Sequence, residues 1–154
     1  MSIAGVTTCL WFDDEAEEAA HFYVSLFPDS AIRSTSYYAT DAQKPEGSVL
    51  TVEFEMFGRP FLALNGGPHF THSPAISFQV FCDTQDEVDR LWDTLVANGG
   101  DESMCGWCSD RFGISWQIIP RRLTELLMSP DAAVARRTTE RMMTMRRIVI
   151  AELE

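Results

Sequence analysis

The chain has 154 residues, 45% of them hydrophobic, with four Trp, three Tyr and ten Phe. That is enough to bury a core without disulfide or metal staples, and it excludes a disordered chain. The formal charge of −11 is concentrated ahead of residue 121: residues 1–120 carry five Lys/Arg against 18 Asp/Glu, and residues 121–154 carry seven against five. An acidic body repels nucleic acid, and no apolar run approaches the ~20 residues of a membrane span, so neither partner is expected.

The opening stretch MSIAGVTTCLWFDDEAEE has no basic segment before its short apolar run, so no secretory signal is read there. A cytoplasmic, reducing location with free thiols is expected. Val6 to Phe12 reads as a strand. Asp13 and Asp14 then offer a helix cap, and Ala16, Ala19, Ala20, Tyr23, Leu26 and Phe27 recur at helical spacing up to the stop at Pro28. Three strand candidates follow: AIRSTSYYA, SVLTVEFEMF and, after the turn FGRPF, FLALN. The second alternates cleanly, with Leu50, Val52, Phe54 and Met56 on one face and Thr51, Glu53 and Glu55 on the other.

The same order then recurs. AISFQVFC is a strand, and Thr84-Gln-Asp-Glu87 is a capping box ahead of the stripe Val88, Leu91, Trp92, Leu95, Val96. Asn98-Gly99-Gly100 ends that helix, short strands are expected around Met104–Cys108, and ISWQIIP closes the repeat. A helical tail follows: RRLTELLM, a break and cap at Ser129-Pro130-Asp131, then AAVARRTTERMMTMRR, whose Met142, Met143 and Met145 read as adaptable apolar packers. The arrangement is strand–helix–three strands, written twice, plus a tail.

Two motifs invite chemistry. Cys105-Gly-Trp-Cys108 has redox spacing, but a redox cysteine needs a following helix to stabilise its thiolate, and here a turn and a strand follow. Packing and turn chemistry are the expectation, with Asp110 and Arg111 holding the hairpin. His69-x-x-His72 sits in a Pro-flanked link with no third ligand in sight, which reads as a solvated linker.

Read whole, CGWCSDRFGISWQIIP, with LWFDDEAEEAAHFYVSLFPDS, LALNGGP and DTQDEVDRLWDTL, resembles the PhnB-like branch of the glyoxalase/bleomycin-resistance/dioxygenase (vicinal oxygen chelate) superfamily, often labelled 3-demethylubiquinone-9 3-methyltransferase. The resemblance implies an α+β fold of two βαβββ modules with a C-terminal helical extension. Residues 1–154 then form a single glyoxalase-like domain: module one at about 4–67, module two at about 74–120 and the tail at about 121–154. It also implies a pocket on the concave face of each curved sheet.

Metal-dependent members of the superfamily use a His or Glu from each of four strands, and Thr8, Asn65, Ala75 and Gln117 fall at those positions here. Ala75 cannot ligate, and a hydroxyl and two amides are poor substitutes for carboxylate and imidazole, so no metal and no cofactor are expected. The methyltransferase label finds no glycine-rich loop between a strand and a helix to support it. Thr8, Thr51, Glu53, Asn65, Ser77, Gln79, Trp107 and Gln117 are the candidate pocket residues, and Glu53 with Glu55 could also form a general acid/base pair. The expected function is binding of a small, partly apolar molecule in a sheet-lined cleft, by a homodimer. The alternative is an enzyme: a lyase or isomerase of the superfamily, or the methyltransferase of the label.

Overall fold

The structure, a computed structural model, describes residues 3–41 and 43–154. It divides into two compact units, the first ending at Thr71 and the second running from His72 to Glu154. In the first, β1 (Thr8–Phe12) leads into α1 (Ala16–Leu26), then β2 (Ala31–Tyr37), β3 (Val49–Met56) and β4 (Arg59–Asn65). The sheet order is β1-β4-β3-β2, with β1 parallel to β4 and the other pairs antiparallel. A βαβββ unit is the result.

Alternation decides which face α1 covers. Leu10 and Phe12 of β1, Val52, Phe54 and Met56 of β3, and Phe61 and Ala63 of β4 are all buried. Fully buried Ala16, Ala19 and Ala20 present only methyl groups to this sheet, and Tyr23 fills the remaining space, its ring stacked on Phe54 at 6.2 Å. The expected cap at Asp13 or Asp14 is not what starts the helix. Glu15 occupies the cap position and makes no side-chain cap bond; the side-chain Oδ1 of Asn65 instead accepts from the Ala16 N–H at 2.8 Å.

The second unit repeats the plan with β5 (Ser77–Cys82), α2 (Gln85–Val96), β6 (Asp101–Glu102), β7 (Trp107–Ser109) and β8 (Ser115–Pro120), in the order β5-β8-β7-β6. Both halves of the Thr84–Glu87 capping box form, and Val88, Leu91, Trp92 and Leu95 are buried, as are Trp116 and Ile118 of β8. The short strands expected around Met104–Cys108 are β6 and β7, which lie on either side of a turn. Between them Cys105 and Gly106 both take positive φ, +59° and +82°. Their N–H groups donate to the carbonyls of Met145 and Arg146, each at 2.7 Å, so the tail bends the chain out of the sheet there.

The tail forms α3 (Arg121–Leu127), α4 (Ala132–Met142) and a 3-10 turn at Ile150–Glu152. α4 stops at Met142, five residues short of what the sequence pattern suggested, because residues 143–149 run back along the second unit. Ile119, Leu123, Leu126, Met145, Ile148 and Leu153 form one buried cluster. Among the described residues, no helix is long and apolar enough to cross a membrane.

Candidate functional site

Each sheet has one face covered by its helix and one open face, and the open faces carry the polar side chains. On the first, register lines up Cys9, Leu62, Glu53 and Ser34 in one row and Trp11, Leu64, Thr51 and Ser36 in the next. Ser34 donates to Glu53 Oε2 at 2.8 Å, and the hydroxyls of Ser36 and Thr51 share a hydrogen bond at 2.5 Å. One row further on, the Arg33 guanidinium is paired with Glu55. That hydrogen bond, with the attendant charge attraction, holds the Glu55 carboxyl below its usual range and raises Arg33. Arg33, Glu53 and Glu55 edge an open hollow of about 320 Å³, lined also by Thr7, Pro60 and Leu62 with parts of Phe54 and Phe61. Polar strands β2 and β3 thus face an apolar strip on β1 and β4.

Trp11 forms the far wall of that strip, and the sequence reading missed it. Its indole N–H donates to the Gly67 carbonyl at 2.8 Å, and its ring meets Phe70 edge-on at 4.9 Å. A Cβ on Gly66 would lie 2.2 Å from the ring, so only glycine lets the chain pass there. The signal was available: in β1, Trp11 is out of phase with the buried pair Leu10 and Phe12.

On the open face of the second sheet, Gln79, Gln117 and Trp107 stand in one row across β5, β8 and β7. The Gln117 amide donates to Ser77 Oγ at 2.8 Å and accepts from the Gln79 amide at 3.3 Å. A neutral ladder of hydroxyl and two amides therefore lies beside a half-buried indole. The tail covers the Ile119 end of this face and leaves the Gln79–Gln117–Trp107 row open.

Six of the eight sequence candidates sit on these two faces: Thr51 and Glu53 on the first, Ser77, Gln79, Trp107 and Gln117 on the second. The other two do not. Thr8 is exposed and pairs with Phe61, in the row that continues through buried Leu10 and Phe12, so alternation puts it on the helix side of β1. Asn65 is 4% exposed and also faces α1; besides its bond to Ala16, its amide donates to the Val49 carbonyl at 3.1 Å. It is a helix anchor. In a period-2 strand, a position displaced by one residue faces the opposite side of the sheet.

The four positions that would ligate a divalent ion do not fit one. Thr8 and Asn65 are on the helix side, Ala75 has no side-chain donor atom, and Gln117 offers only a neutral amide. Among the described residues no group of three His, Cys, Asp or Glu side chains could hold a metal ion, which includes His69 and His72.

Cys105–Cys108 is no better placed for redox work. Cys108 lies on β7, 3% exposed, and burial first, then the charges of Asp110 and Glu102, push its thiol up to about 12. A redox thiol needs the opposite shift. Asp110 holds the following hairpin as expected: its carboxylate accepts from the N–H groups of Phe112 (2.9 Å) and Ile114 (3.1 Å) and from the Trp116 indole at 2.9 Å.

The family model described as 3-demethylubiquinone-9 3-methyltransferase matches residues 4–119. The chain belongs to this family. It is a PhnB-like member of the glyoxalase, or vicinal oxygen chelate, superfamily. The PhnB protein of Bacillus cereus, which carries the same family description, is 35% identical with a TM-score of 0.68, over 75% of this chain and 98% of that one. A Pseudomonas aeruginosa protein shares the fold at 18% identity and a TM-score of 0.59, over 77% of this chain and 98% of that one. So does a variant of the fosfomycin resistance protein FosX from Listeria monocytogenes, complexed with Mn(II) and 1S,2S-dihydroxypropylphosphonic acid, at 13% identity and a TM-score of 0.54, over 77% of this chain and 93% of that one. No match was found among curated proteins. The PhnB-like match ends at residue 119, so the tail lies outside it.

Proposed function

We propose that this PhnB-like protein binds a small, partly apolar, uncharged molecule on the open faces of its sheets, as a homodimer and without a catalytic divalent metal. The observation that carries this reading is the Ser77–Gln117–Gln79 ladder beside Trp107. Two amides and a hydroxyl can donate to and accept from one polar group of a ligand, and the indole offers a flat apolar surface to its body. Carboxylate and imidazole are missing from the positions where a superfamily metal would need them, so Lewis-acid chemistry has no donor set to rest on. The methyl transfer and lyase or isomerase readings have the family description and the shared fold in their favour.

The test is a native mass spectrum and a metal analysis of the same purified sample. The expected result is a two-chain mass that retains a small organic molecule, with no stoichiometric zinc, nickel, manganese or iron after dialysis against a weak chelator. One tightly held divalent ion per chain, with isomerase or lyase activity restored by that ion, would overturn the reading.

A further inference from the structure

Met142, Met143 and Met145 of the tail look alike in the sequence but part company in the structure. Met145 is 8% exposed in the tail cluster and Met142 packs against it, as apolar packers should. Met143 does neither. It is 59% exposed, and its thioether Sδ lies 3.6 Å from Cys105 Sγ, which donates its S–H to it.

This contact is held from both sides by backbone. The Cys105 and Gly106 N–H groups donate to the carbonyls of Met145 and Arg146, each at 2.7 Å, which clamps the Cys105 turn against the segment carrying Met143. Gly106 cannot be replaced without collision, since a Cβ there would sit 2.9 Å from the Ile118 carbonyl and 3.2 Å from Ile148. Two soft sulfur donors, 38 residues apart in sequence, are thus set next to each other where solvent reaches them. Among the described residues, no group of three His, Cys, Asp or Glu side chains that could hold a metal ion is found.

We propose that Cys105 and Met143 form a binding site for a soft monovalent cation, Cu(I). Thiolate and thioether are the ligand pair that selects Cu(I) over magnesium, calcium or manganese, which want oxygen, and two donors are too few for a tetrahedral zinc site. The ion takes the place of the thiol proton: the S–H bond of Cys105 breaks, a thiolate–copper bond forms, Met143 Sδ completes the coordination, and the proton goes to solvent with no change of oxidation state. A linear bridge needs the sulfurs about 4.6 Å apart, twice a metal–thiolate bond of about 2.3 Å, against the 3.6 Å present. The flexible, exposed Met143 side chain can supply that ~1 Å by rotation. Neither Cys105 nor Met143 makes any of the hydrogen bonds of the Ser77–Gln117–Gln79 ladder, so the two readings are tested independently.

The experiment is anaerobic Cu(I) titration of the full-length chain against a chromogenic Cu(I) chelator. Every sample carries Cys9→Ser, because Cys9 is an exposed thiol that could bind the ion by itself. One Cu(I) per chain is expected, with affinity rising as pH rises because binding releases a proton. Met143→Leu should weaken binding at least tenfold, and Cys105→Ser should remove the site. If Met143→Leu binds Cu(I) as tightly as its parent, the copper is on a lone thiol and the proposal fails. Loss of binding in both variants with unchanged circular dichroism supports it; no binding by the parent also refutes it.

Discussion

The side chain of Asn65, the last residue of β4, accepts a hydrogen bond from the backbone N–H of Ala16, the first residue of α1, at 2.8 Å. Helix starts leave N–H groups without partners, and this one is satisfied from a strand 49 positions away rather than by a neighbour. Asn65 → Val49 adds a second bond, so one amide ties α1, β3 and β4 together.

Asn65→Leu should therefore cost about 2–4 kcal/mol, since it strands a buried donor and a part-buried acceptor at once. Asn65→Asp keeps the acceptor for Ala16 and loses the donor to Val49, and its smaller loss separates the two bonds. Urea denaturation of the three proteins gives both numbers. A loss below about 0.5 kcal/mol for the Leu variant would mean the amide is not an anchor.

Gln117→Leu makes the opposite kind of change. Its side chain is half-buried on an open face, so little stability rests on it, and the melting temperature should stay within a few degrees. The occupancy of the small molecule retained in native mass spectra should fall. Two hydrogen bonds to a ligand group, at about 1 kcal/mol each, correspond to roughly a thirtyfold loss of affinity. A Leu variant that retains the ligand as well as its parent would move the site elsewhere.

Buried thiols make the protein sensitive to alkali. Burial is the main cause that raises Cys82 to about 11 and Cys108 to about 12, against an ordinary 9.0. Well below pH 9 both thiols are neutral whether the chain is folded or not, and their contribution is intact. Above it the unfolded chain gives up these protons and the folded one keeps them, so stability falls with rising pH until the folded values are reached. Urea midpoints should decline between pH 9 and 10.5. Cys108→Ala, though less stable throughout, should decline less steeply; an unchanged slope would show that Cys108 is not a source.

Two kinds of contact hold the tail, and they should differ in weight. Arg147 pairs with Asp89 at 3.0 Å and with Asp93 on α2, but Asp93 is exposed and Asp89 only half-buried, so Arg147→Ala should cost no more than about 1 kcal/mol. Ile148 is fully buried, and Ile148→Ala should cost about 2–5 kcal/mol. Thermal and urea unfolding of the two variants rank them directly. If Arg147→Ala is the more damaging, the opposite charges of tail and body, rather than apolar burial, dock the tail.

Legibility followed the range of the interaction. Thr84 and Glu87 are three residues apart and bond each other, so the capping box could be read directly, and the alternation of SVLTVEFEM needs nothing beyond period 2 to place Thr51 and Glu53 on one face and Val52 and Phe54 on the other. The repeat of strand, helix and three strands was visible for the same reason. Only tertiary structure could turn Asn65 toward Ala16, put Thr8 in the row of Leu10 and Phe12, bend Cys105 and Gly106 toward the Met145 and Arg146 carbonyls, or separate Met143 from Met142 and Met145. Each of those depends on a partner far along the chain and on strand register, which the local pattern of apolar and polar residues does not encode.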